Sequence, residues 1–248
     1  MRLDVYLTPQ EIAPSDISGR VVAVIDVLRW SSTVASALSN GAKNVVPFEE
    51  PEELVRRSKD FERGEVRLAG ERRSMPISGF DLGNSPAEFS REAVEGKTVL
   101  ITTTNGTRAL LAVQGARDVV IASYVNFSAA LAMLRTAARG GADVALVCSG
   151  HDRHFSLEDA ACAGRFVRHI TRRLANADVG DAAHACTLLE RRYGDDLERL
   201  FGDSEHGRGL VAAGFGSDLD VCAKIDAYPV LPVYQDRQIT KIGPERER

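Results

Sequence analysis

RVVAVIDVLRWSSTVASALS, residues 20–39, passes from a run of apolar, β-branched residues into a pattern of small and apolar residues. The apolar run predicts a buried strand over residues 20–28. The apolar spacing from Ser32 to Ser39 predicts a helix. A polar segment, DVLRWSST (26–33), lies at the junction. The stretch therefore predicts a strand with both faces covered that leads directly into a helix.

The same alternation recurs along the chain. Further buried strands are predicted at KNVVPF (43–48), TVLITTT (98–104), DVVIAS (118–123) and DVALVCS (143–149). Further helices are predicted at Glu52 to Phe61, Thr107 to Val113, Ser128 to Ala138 and Leu157 to Leu174. Strands that alternate with helices are typical of the α/β class with a mainly parallel sheet.

Two segments near the ends have a different pattern. RLDVYLT (2–8) and KIDAYPVLPVYQDRQITKI (224–242) both show alternation. The second also contains prolines and predicts a short hairpin around Asp236 and Arg237. These segments suggest that the edges of the sheet are mixed.

The rest of the chain contains no linker-like composition and no convincing repeat. Residues 176–215 are expected to be helical, with breaks at Gly180, Gly194 and Gly202. One compact domain over residues 1–248 is the simplest prediction, with GPERER (243–248) as a solvated tail.

Composition excludes several classes of function. The net charge of −4 gives no indication of the basic surface that nucleic-acid binding requires, so no nucleic-acid partner is expected. No run reaches the roughly 18 to 20 apolar residues of a membrane span. The start, MRLDVYLTPQEIAPSD, lacks the apolar core of a signal peptide. We therefore expect a cytoplasmic protein without a membrane partner.

The four cysteines are widely spaced and form no Cys-x-x-Cys pair. Reduced thiols that serve mainly in packing are the favoured interpretation, and disulfides in a secreted chain are the alternative. The residues are Cys148, Cys162, Cys186 and Cys222.

Three loops that follow predicted strands share one chemistry. DVLRWSST (26–33), TTTNGTR (102–108) and CSGHDRHFSLEDA (148–160) each combine small residues, hydroxyl groups and one arginine. Each loop also leads into a helix, whose amino end carries a partial positive charge. Hydroxyl and guanidinium donors at such an end suit an anion, so the sequence predicts a phosphate-like ligand.

The loop at 102–108 has the largest number of candidate donors. Its candidate substrate-binding residues are Thr102, Thr103, Thr104, Asn105, Gly106, Thr107 and Arg108. Thr107 is expected to cap the helix, and Arg108 to donate two hydrogen bonds to an oxyanion. Asn-Gly is also a hairpin signal, but the periodic TRALLAV (107–113) favours strand, turn and helix.

Two acids in these loops have competing interpretations. Asp26 ends an apolar strand, where an ionised carboxylate needs a partner. That partner is either a metal or substrate, or else Arg29 in a structural pair. Asp159 fits a capping box with Ser156, and a structural role and a catalytic role both stay open.

Other polar residues give weaker signals. His151 and His154 are metal-ligand candidates, although surface positions are the favoured interpretation. Glu71 in AGERR (69–73) and Asp81 in GFDLGNSP (79–86) are further acids in loop context. The second of these segments is expected to line a site.

Two familiar phosphate motifs are excluded. Gly96-Lys97-Thr98 lacks the first glycine of a Walker loop, because Arg91 stands there, and it precedes a strand instead of following one. Cys148 and Arg153 are separated by four residues, one fewer than a cysteine phosphatase loop needs. A thiolate nucleophile is therefore not expected.

Six segments, in this order and spacing, closely resemble the 2-phosphosulfolactate phosphatases. They are DVLRWSST, AGERR, GFDLGNSP, TTTNGTRAL (102–110), FSLEDAACAG (155–164) and SEHGRGL (204–210). The resemblance covers nearly the whole chain. It implies a three-layer α/β/α sandwich and a magnesium-dependent acid phosphatase. Such enzymes convert 2-phosphosulfolactate to sulfolactate and phosphate, a step on a route to coenzyme M.

Together with the charge pattern, the resemblance leads to a hypothesis for the roles of individual residues. Asp26, with Glu71 or Asp159, is expected to hold Mg²⁺. The other expected catalytic residues are Arg29 and His206, the latter as general acid, with a structural pair between His206 and Glu205 as the alternative. Arg29, Arg108 and the 102–107 loop are assigned to the phosphoryl group. The remaining substrate-binding candidates, for the sulfonate, the carboxylate or a further hydroxyl contact, are Arg72, Ser149, Arg153 and Arg208.

The chain departs from the usual family pattern at Trp30 and Ser31, where smaller or threonine side chains are typical. A phosphatase for another small phosphorylated acid is therefore one alternative. A non-catalytic anion-binding protein is the other. The sequence leaves the oligomeric state open between a monomer and a homodimer.

Overall fold

The structure is a computed structural model that describes residues 1–172, 174 and 176–242. The predicted tail at 243–248 lies outside these residues. Within them, eleven strands are found: β1 (Arg2–Tyr6), β2 (Val21–Ile25), β3 (Asn44–Pro47), β4 (Val66–Arg72), β5 (Met75–Pro76), β6 (Thr98–Thr102), β7 (Asp118–Ala122), β8 (Val144–Cys148), β9 (Asp178–Val179), β10 (Pro232–Gln235) and β11 (Gln238–Lys241).

The described residues also form eleven α-helices. They are α1 (Pro14–Ile17), α2 (Trp30–Ser39), α3 (Pro51–Ser58), α4 (Arg91–Val94), α5 (Gly106–Ala112), α6 (Phe127–Arg139), α7 (Leu157–Thr171), α8 (Asp181–Tyr193), α9 (Leu197–Asp203), α10 (Glu205–Ala212) and α11 (Gly216–Cys222). Among the described helices, none is long and apolar enough to span a bilayer.

All strands join one sheet in the order β5-β4-β6-β3-β11-β10-β7-β2-β8-β1-β9. The neighbouring strands β7, β2, β8, β1 and β9 are parallel and form one block. Strands β3, β6 and β4 form a second parallel block. The β10–β11 hairpin joins the blocks by antiparallel pairing on both sides. The predicted α/β class with a mainly parallel, mixed sheet is therefore confirmed.

The position of the hairpin differs from the expectation. The hairpin forms at Asp236 and Arg237, as predicted, and both residues have positive φ, which suits a two-residue turn whose twist matches the strands. It lies in the interior of the sheet, however, and not at an edge. The reason is that its two strands pair with β7 on one side and with β3 on the other.

Strand β2 shows why the fold has three layers. Val21, Ala23 and Ile25 pack into one core with helices α6, α7 and α8. Val22 and Val24 pack into a second core with α2 and α5. Because successive residues of a strand point to opposite faces, the fully apolar run requires helices on both sides. The three-layer α/β/α sandwich is confirmed.

Three local predictions need correction. Strand β4 was missed because charged residues interrupt its apolar pattern. Gly202 lies inside α9, and the break falls at Ser204, whose hydroxyl accepts a hydrogen bond from Gly207 N at the start of α10 (2.8 Å). Helix α5 already begins at Gly106, so Thr107 lies in its first turn and does not cap it.

The four cysteines are buried and free, as predicted. Burial raises the pKa of both Cys186 and Cys222 to about 12. A thiol with so high a pKa carries almost no thiolate near neutral pH, so these residues serve in packing.

Candidate active site

A polar cleft lies where several of the predicted loops meet. The loop after β2 contributes Asp26 and Arg29, and the loop after β6 contributes Thr103 and Thr104. The loop after β8 contributes His151. The structure thus brings together the three loops that the sequence analysis singled out.

The loops after β2 and β6 meet although their strands belong to different parallel blocks. A contact between Trp30 and Gly106 accounts for this approach. Trp30 is fully buried, and a side chain at Gly106 would overlap the Trp30 ring. Only glycine therefore allows α5 to begin so close to the start of α2. Trp30 supports the 103–105 loop and does not line the cleft.

Asp26 is a buried acid of the cleft whose pKa is raised. It follows β2 directly and is 4% exposed. Its Oδ1 accepts a hydrogen bond from Trp30 N at 3.2 Å. Burial raises the pKa of Asp26 to about 6, with a further contribution from Glu71, while the nearby His206 acts in the opposite direction. A carboxylate with this pKa is poised to exchange its proton for a cation near neutral pH.

Glu71 connects two segments of the cleft. Its Oε1 accepts a hydrogen bond from Thr104 N (2.7 Å), and its Oε2 accepts one from Ser74 N (2.9 Å). Arg73 and Ser74 both have positive φ, at 52° and 67°, so the chain turns sharply after β4. This turn places Arg73 in the cleft lining.

Three acids line the cleft, and two of them, Asp26 and Glu71, are buried, whereas Asp152 is exposed. We take the two buried acids as the candidates for holding a cation. Among the described residues, no group of three or more His, Cys, Asp or Glu side chains forms a metal-binding cluster. Mg²⁺ typically uses one or two carboxylates together with water and substrate phosphate. The donor set therefore fits Mg²⁺ shared with a phosphorylated ligand, and it does not form a closed structural site.

The structure does not bring Asp159 to the cleft surface. Asp159 is buried, and its Oδ1 accepts a hydrogen bond from Val27 N at 2.8 Å. Its Oδ2 accepts hydrogen bonds from Ser149 Oγ (3.1 Å) and Gly150 N (3.2 Å). Burial and the neighbouring acids Glu158 and Asp26 raise its pKa. Asp159 thus ties the loop after β2 to the loop after β8, and Ser149 is occupied by this contact.

Asp159 also forms only half of the predicted capping box. Its N–H donates to Ser156 Oγ at 3.4 Å, so Ser156 caps α7. The Asp159 carboxylate does not return to the Ser156 backbone, because its two oxygens are engaged by the strand-end loops.

Arg29 lies in the cleft lining but is not paired with Asp26. Its Nη1 donates to Asp218 Oδ2 at 2.6 Å, and both side chains are 2% exposed. The pairing of Asp26 with Arg29 that the sequence left open is therefore wrong. Asp26 faces the cleft without a guanidinium partner of its own in the described structure.

His206 belongs to a buried acid–imidazole pair. Its Nδ1 lies 3.1 Å from Oε1 of Glu158, so the suggested pair with Glu205 is wrong. Burial lowers the pKa of His206, but the hydrogen bond and charge of Glu158 outweigh burial and leave its pKa above the usual value. The ring stacks on His151 at 4.0 Å. Burial and the His206 charge lower the pKa of His151, so one imidazole of the stacked pair favours the charged form.

A second pocket adjoins the cleft through Thr103 and Thr104. Its lining also includes Arg72, Thr107 and Arg108, together with the exposed acids Glu49 and Glu50, and its volume is about 100 Å³. The candidates from the 102–108 loop are thus divided between two neighbouring pockets. Each of these pockets contains arginine.

The other predicted substrate-binding residues lie away from the cleft lining. Thr102 is fully buried, and its Oγ1 accepts a hydrogen bond from Arg72 Nη2 at 2.9 Å. Arg153 is exposed. Arg208 is exposed as well, and its Nη1 donates to Asp203 O at the end of α9.

Several residues of the site were missed from the sequence. Asn84 and Asp152 line the cleft, and the partners Glu158 and Asp218 support it from behind. Arg73 lines the cleft as well, whereas the sequence analysis named its neighbour Arg72. The quoted segments contain four of these residues, whereas Asp218 stands in no recognisable motif.

Comparison with known proteins gives one consistent result. Residues 6–237 match the family model for 2-phosphosulpholactate phosphatase. A protein of Symbiobacterium thermophilum, named probable 2-phosphosulfolactate phosphatase, is 40% identical over 90% of this chain and 95% of its own. Relatives with the same name come from Caldanaerobacter subterraneus (38% identity, 94% and 95% coverage) and Thermotoga maritima (36%, 93% and 94%).

The raised pKa of Asp26 predicts a stability cost at high pH. Because the folded state holds this proton more tightly than the unfolded state, the associated stability is complete below about pH 3.8 and is lost as the pH rises through about 6. In a chelator at pH 8, Asp26→Asn should therefore be more stable by about 2–3 kcal/mol, which raises Tm by roughly 5 °C or more. The difference should shrink towards pH 4.

Thermal unfolding of wild type, Asp26→Asn and Asp220→Asn between pH 4 and pH 8 checks this prediction. Asp220→Asn makes the same change of charge at an exposed side chain of α11, outside the cleft lining, and should shift Tm little. If Asp26→Asn is no more stable than wild type at pH 8, the claim that the ionised, buried Asp26 carboxylate destabilises the folded protein is wrong.

Proposed function

The chain belongs to the 2-phosphosulpholactate phosphatase family, and from that premise we propose that it hydrolyses 2-phosphosulfolactate to sulfolactate and phosphate with the help of Mg²⁺. The proposal places this reaction in the cytoplasm, on a route to coenzyme M. The observation that carries it is the buried Asp26 carboxylate, which shares one cleft with the Arg29 guanidinium.

The charge of the substrate matches the distribution of cations. A phosphate, a carboxylate and a sulfonate together carry about four negative charges, and guanidinium groups suit such oxyanions. Arg29 and Arg73 line the cleft, while Arg72 and Arg108 line the adjoining pocket. We assign the phosphoryl group to the cleft, where the acids lie, and one of the other anionic groups to the adjoining pocket.

Asp26, with Glu71, would hold the metal ion. When bound, Mg²⁺ supplies charge to polarise the phosphoryl group and to activate a water molecule. Arg29 and Arg73 bind phosphoryl oxygens and neutralise the charge that develops on them. The backbone turn at 103–105 adds donors at the start of α5. These groups align the phosphoryl group for attack from one side and departure of the alkoxide from the other.

His206 is assigned to the leaving group. Glu158 accepts a hydrogen bond from Nδ1 of His206, so Nε2 is left as the second protonated nitrogen of the charged ring. A proton at Nε2 can pass to the sulfolactate alkoxide as the P–O bond breaks. The contact with Glu158 sustains the charged form that this step requires.

The substrate assignment is tested by a panel of phosphate esters. Phosphate release should be fastest from 2-phosphosulfolactate, require Mg²⁺ and stop in a chelator. Phospholactate, which lacks the sulfonate, should be turned over with about 10²-fold lower kcat/KM. Phosphoglycolate should be similarly poor. Asp26→Asn should abolish turnover, whereas Asp220→Asn on the exposed face of α11 should not.

The two outcomes that contradict this assignment differ from each other. Equal turnover of all the acids identifies a phosphatase for another small phosphorylated acid. Tight binding of 2-phosphosulfolactate without phosphate release identifies a non-catalytic anion-binding protein.

His206 should matter only for a poor leaving group. His206→Asn is expected to lower kcat for 2-phosphosulfolactate by about 10²- to 10³-fold, because the alkoxide then leaves without a proton. Turnover of p-nitrophenyl phosphate, whose leaving group needs no proton, should change little. The exposed His184 on α8 provides the matched control, His184→Asn. Equal losses for both substrates would remove His206 from the general-acid role.

A further inference from the structure

Arg29 is held on three sides by residues from distant parts of the chain. Its Nη1 donates to Oδ2 of Asp218 (2.6 Å), and its Nη2 donates to the carbonyl oxygen of Ser74 (3.1 Å). The Phe215 ring lies 4.4 Å from its Cζ. Two hydrogen bonds and one stacked face fix the plane of the guanidinium and its rotation within that plane.

These contacts leave part of the guanidinium free for a ligand. The group has five N–H donors, and the two hydrogen bonds use two of them. Arg29 belongs to the cleft lining, whereas Asp218 and Phe215 do not belong to the lining formed by the described residues. Asp218 thus holds Arg29 from outside the cleft lining, and the N–H groups that make neither of the two hydrogen bonds are the candidate donors to a ligand in the cleft.

Asp218 is itself immobilised by a second contact. Its Oδ1 accepts a hydrogen bond from Ser85 Oγ at 2.5 Å, and its Oδ2 is engaged by Arg29. Asp218, Arg29 and Ser85 are all at least nine-tenths buried. A carboxylate held at both oxygens in a buried environment cannot swing away, so it transmits its fixed position to the guanidinium.

We propose that Asp218 is a positioning residue for phosphoryl binding, which holds the Arg29 guanidinium in the orientation that receives the phosphoryl oxygens. The inference rests on the phosphoryl-binding role proposed above for Arg29. Asp218 and its helix α11 lie outside the six segments that resemble the family. This part of the chain contacts the site through the buried ion pair between Asp218 and Arg29. Ser85, in the 79–86 segment, completes the support.

The variant Asp218→Asn tests this inference against the matched variant Asp220→Asn on the same helix. Asp218→Asn removes the charge that orients Arg29 but keeps the side-chain shape. Its kcat/KM for 2-phosphosulfolactate should fall by about 10²-fold, and its Kd for inorganic phosphate should rise by about tenfold or more. Asp220→Asn should leave both within about twofold of wild type, since that side chain is exposed.

A double-mutant cycle distinguishes positioning from general structural support. If Asp218 acts through Arg29, adding Asp218→Asn to Arg29→Met should cause no further loss of phosphate affinity beyond about twofold. Losses that multiply in the double variant overturn the inference. So does a folded Asp218→Asn protein with wild-type phosphate affinity.

A less disruptive variant tests the same inference if Asp218→Asn does not fold. Ser85→Ala removes only the hydroxyl that holds Oδ1 of Asp218 and should raise the phosphate Kd by about threefold or more. An unchanged Kd in this variant contradicts the inference. The phosphate measurements also separate the two claims. A wild-type protein that binds phosphate but does not hydrolyse 2-phosphosulfolactate refutes the proposed function, and the cycle still decides the role of Asp218.

Discussion

Removal of the Asp26 carboxylate from water is the constraint on which the site depends. Strand β2 is covered on both faces, so a charge at its end has few routes to solvent. The neighbouring charges are already neutralised from behind, Arg29 by Asp218 and His206 by Glu158. Asp26 and Glu71 have no salt-bridge partner among the described residues, so a balancing positive charge has to come from the cleft. The fold therefore favours binding of a cation at the point where a phosphorylated ligand would bind.

The sequence predicted the elements that follow local patterns and missed those that depend on distant partners. The apolar run of β2, the turn at Asn105 and the hairpin at Asp236 carry strong local signals, and the structure has all three. Strand β4 was hidden by its charged residues, although its turn delivers Arg73 to the cleft. Asp218 stands 189 residues from Arg29. Only the folded chain brings these two together.

Trp30 shows how a residue beside the cleft can act on it indirectly. Its position beside Asp26 suggested an altered pocket, but the ring is fully buried and packs against Gly106. The ring thus packs beneath the residue that follows the 103–105 loop. Since the loop forms part of the cleft wall, a change beneath it alters the spacing between the acids and the backbone donors without exposing a new side chain to the ligand.

A crystal structure with Mg²⁺ and orthovanadate, a transition-state analogue of phosphoryl transfer, tests the central claim most directly. The account predicts the vanadium centre in the cleft, with oxygens on Arg29 and on the 103–105 loop, and Mg²⁺ bound to Asp26. Vanadate seated instead between Arg72 and Arg108, or Mg²⁺ bound away from Asp26, would show that the buried carboxylate does not organise the reaction.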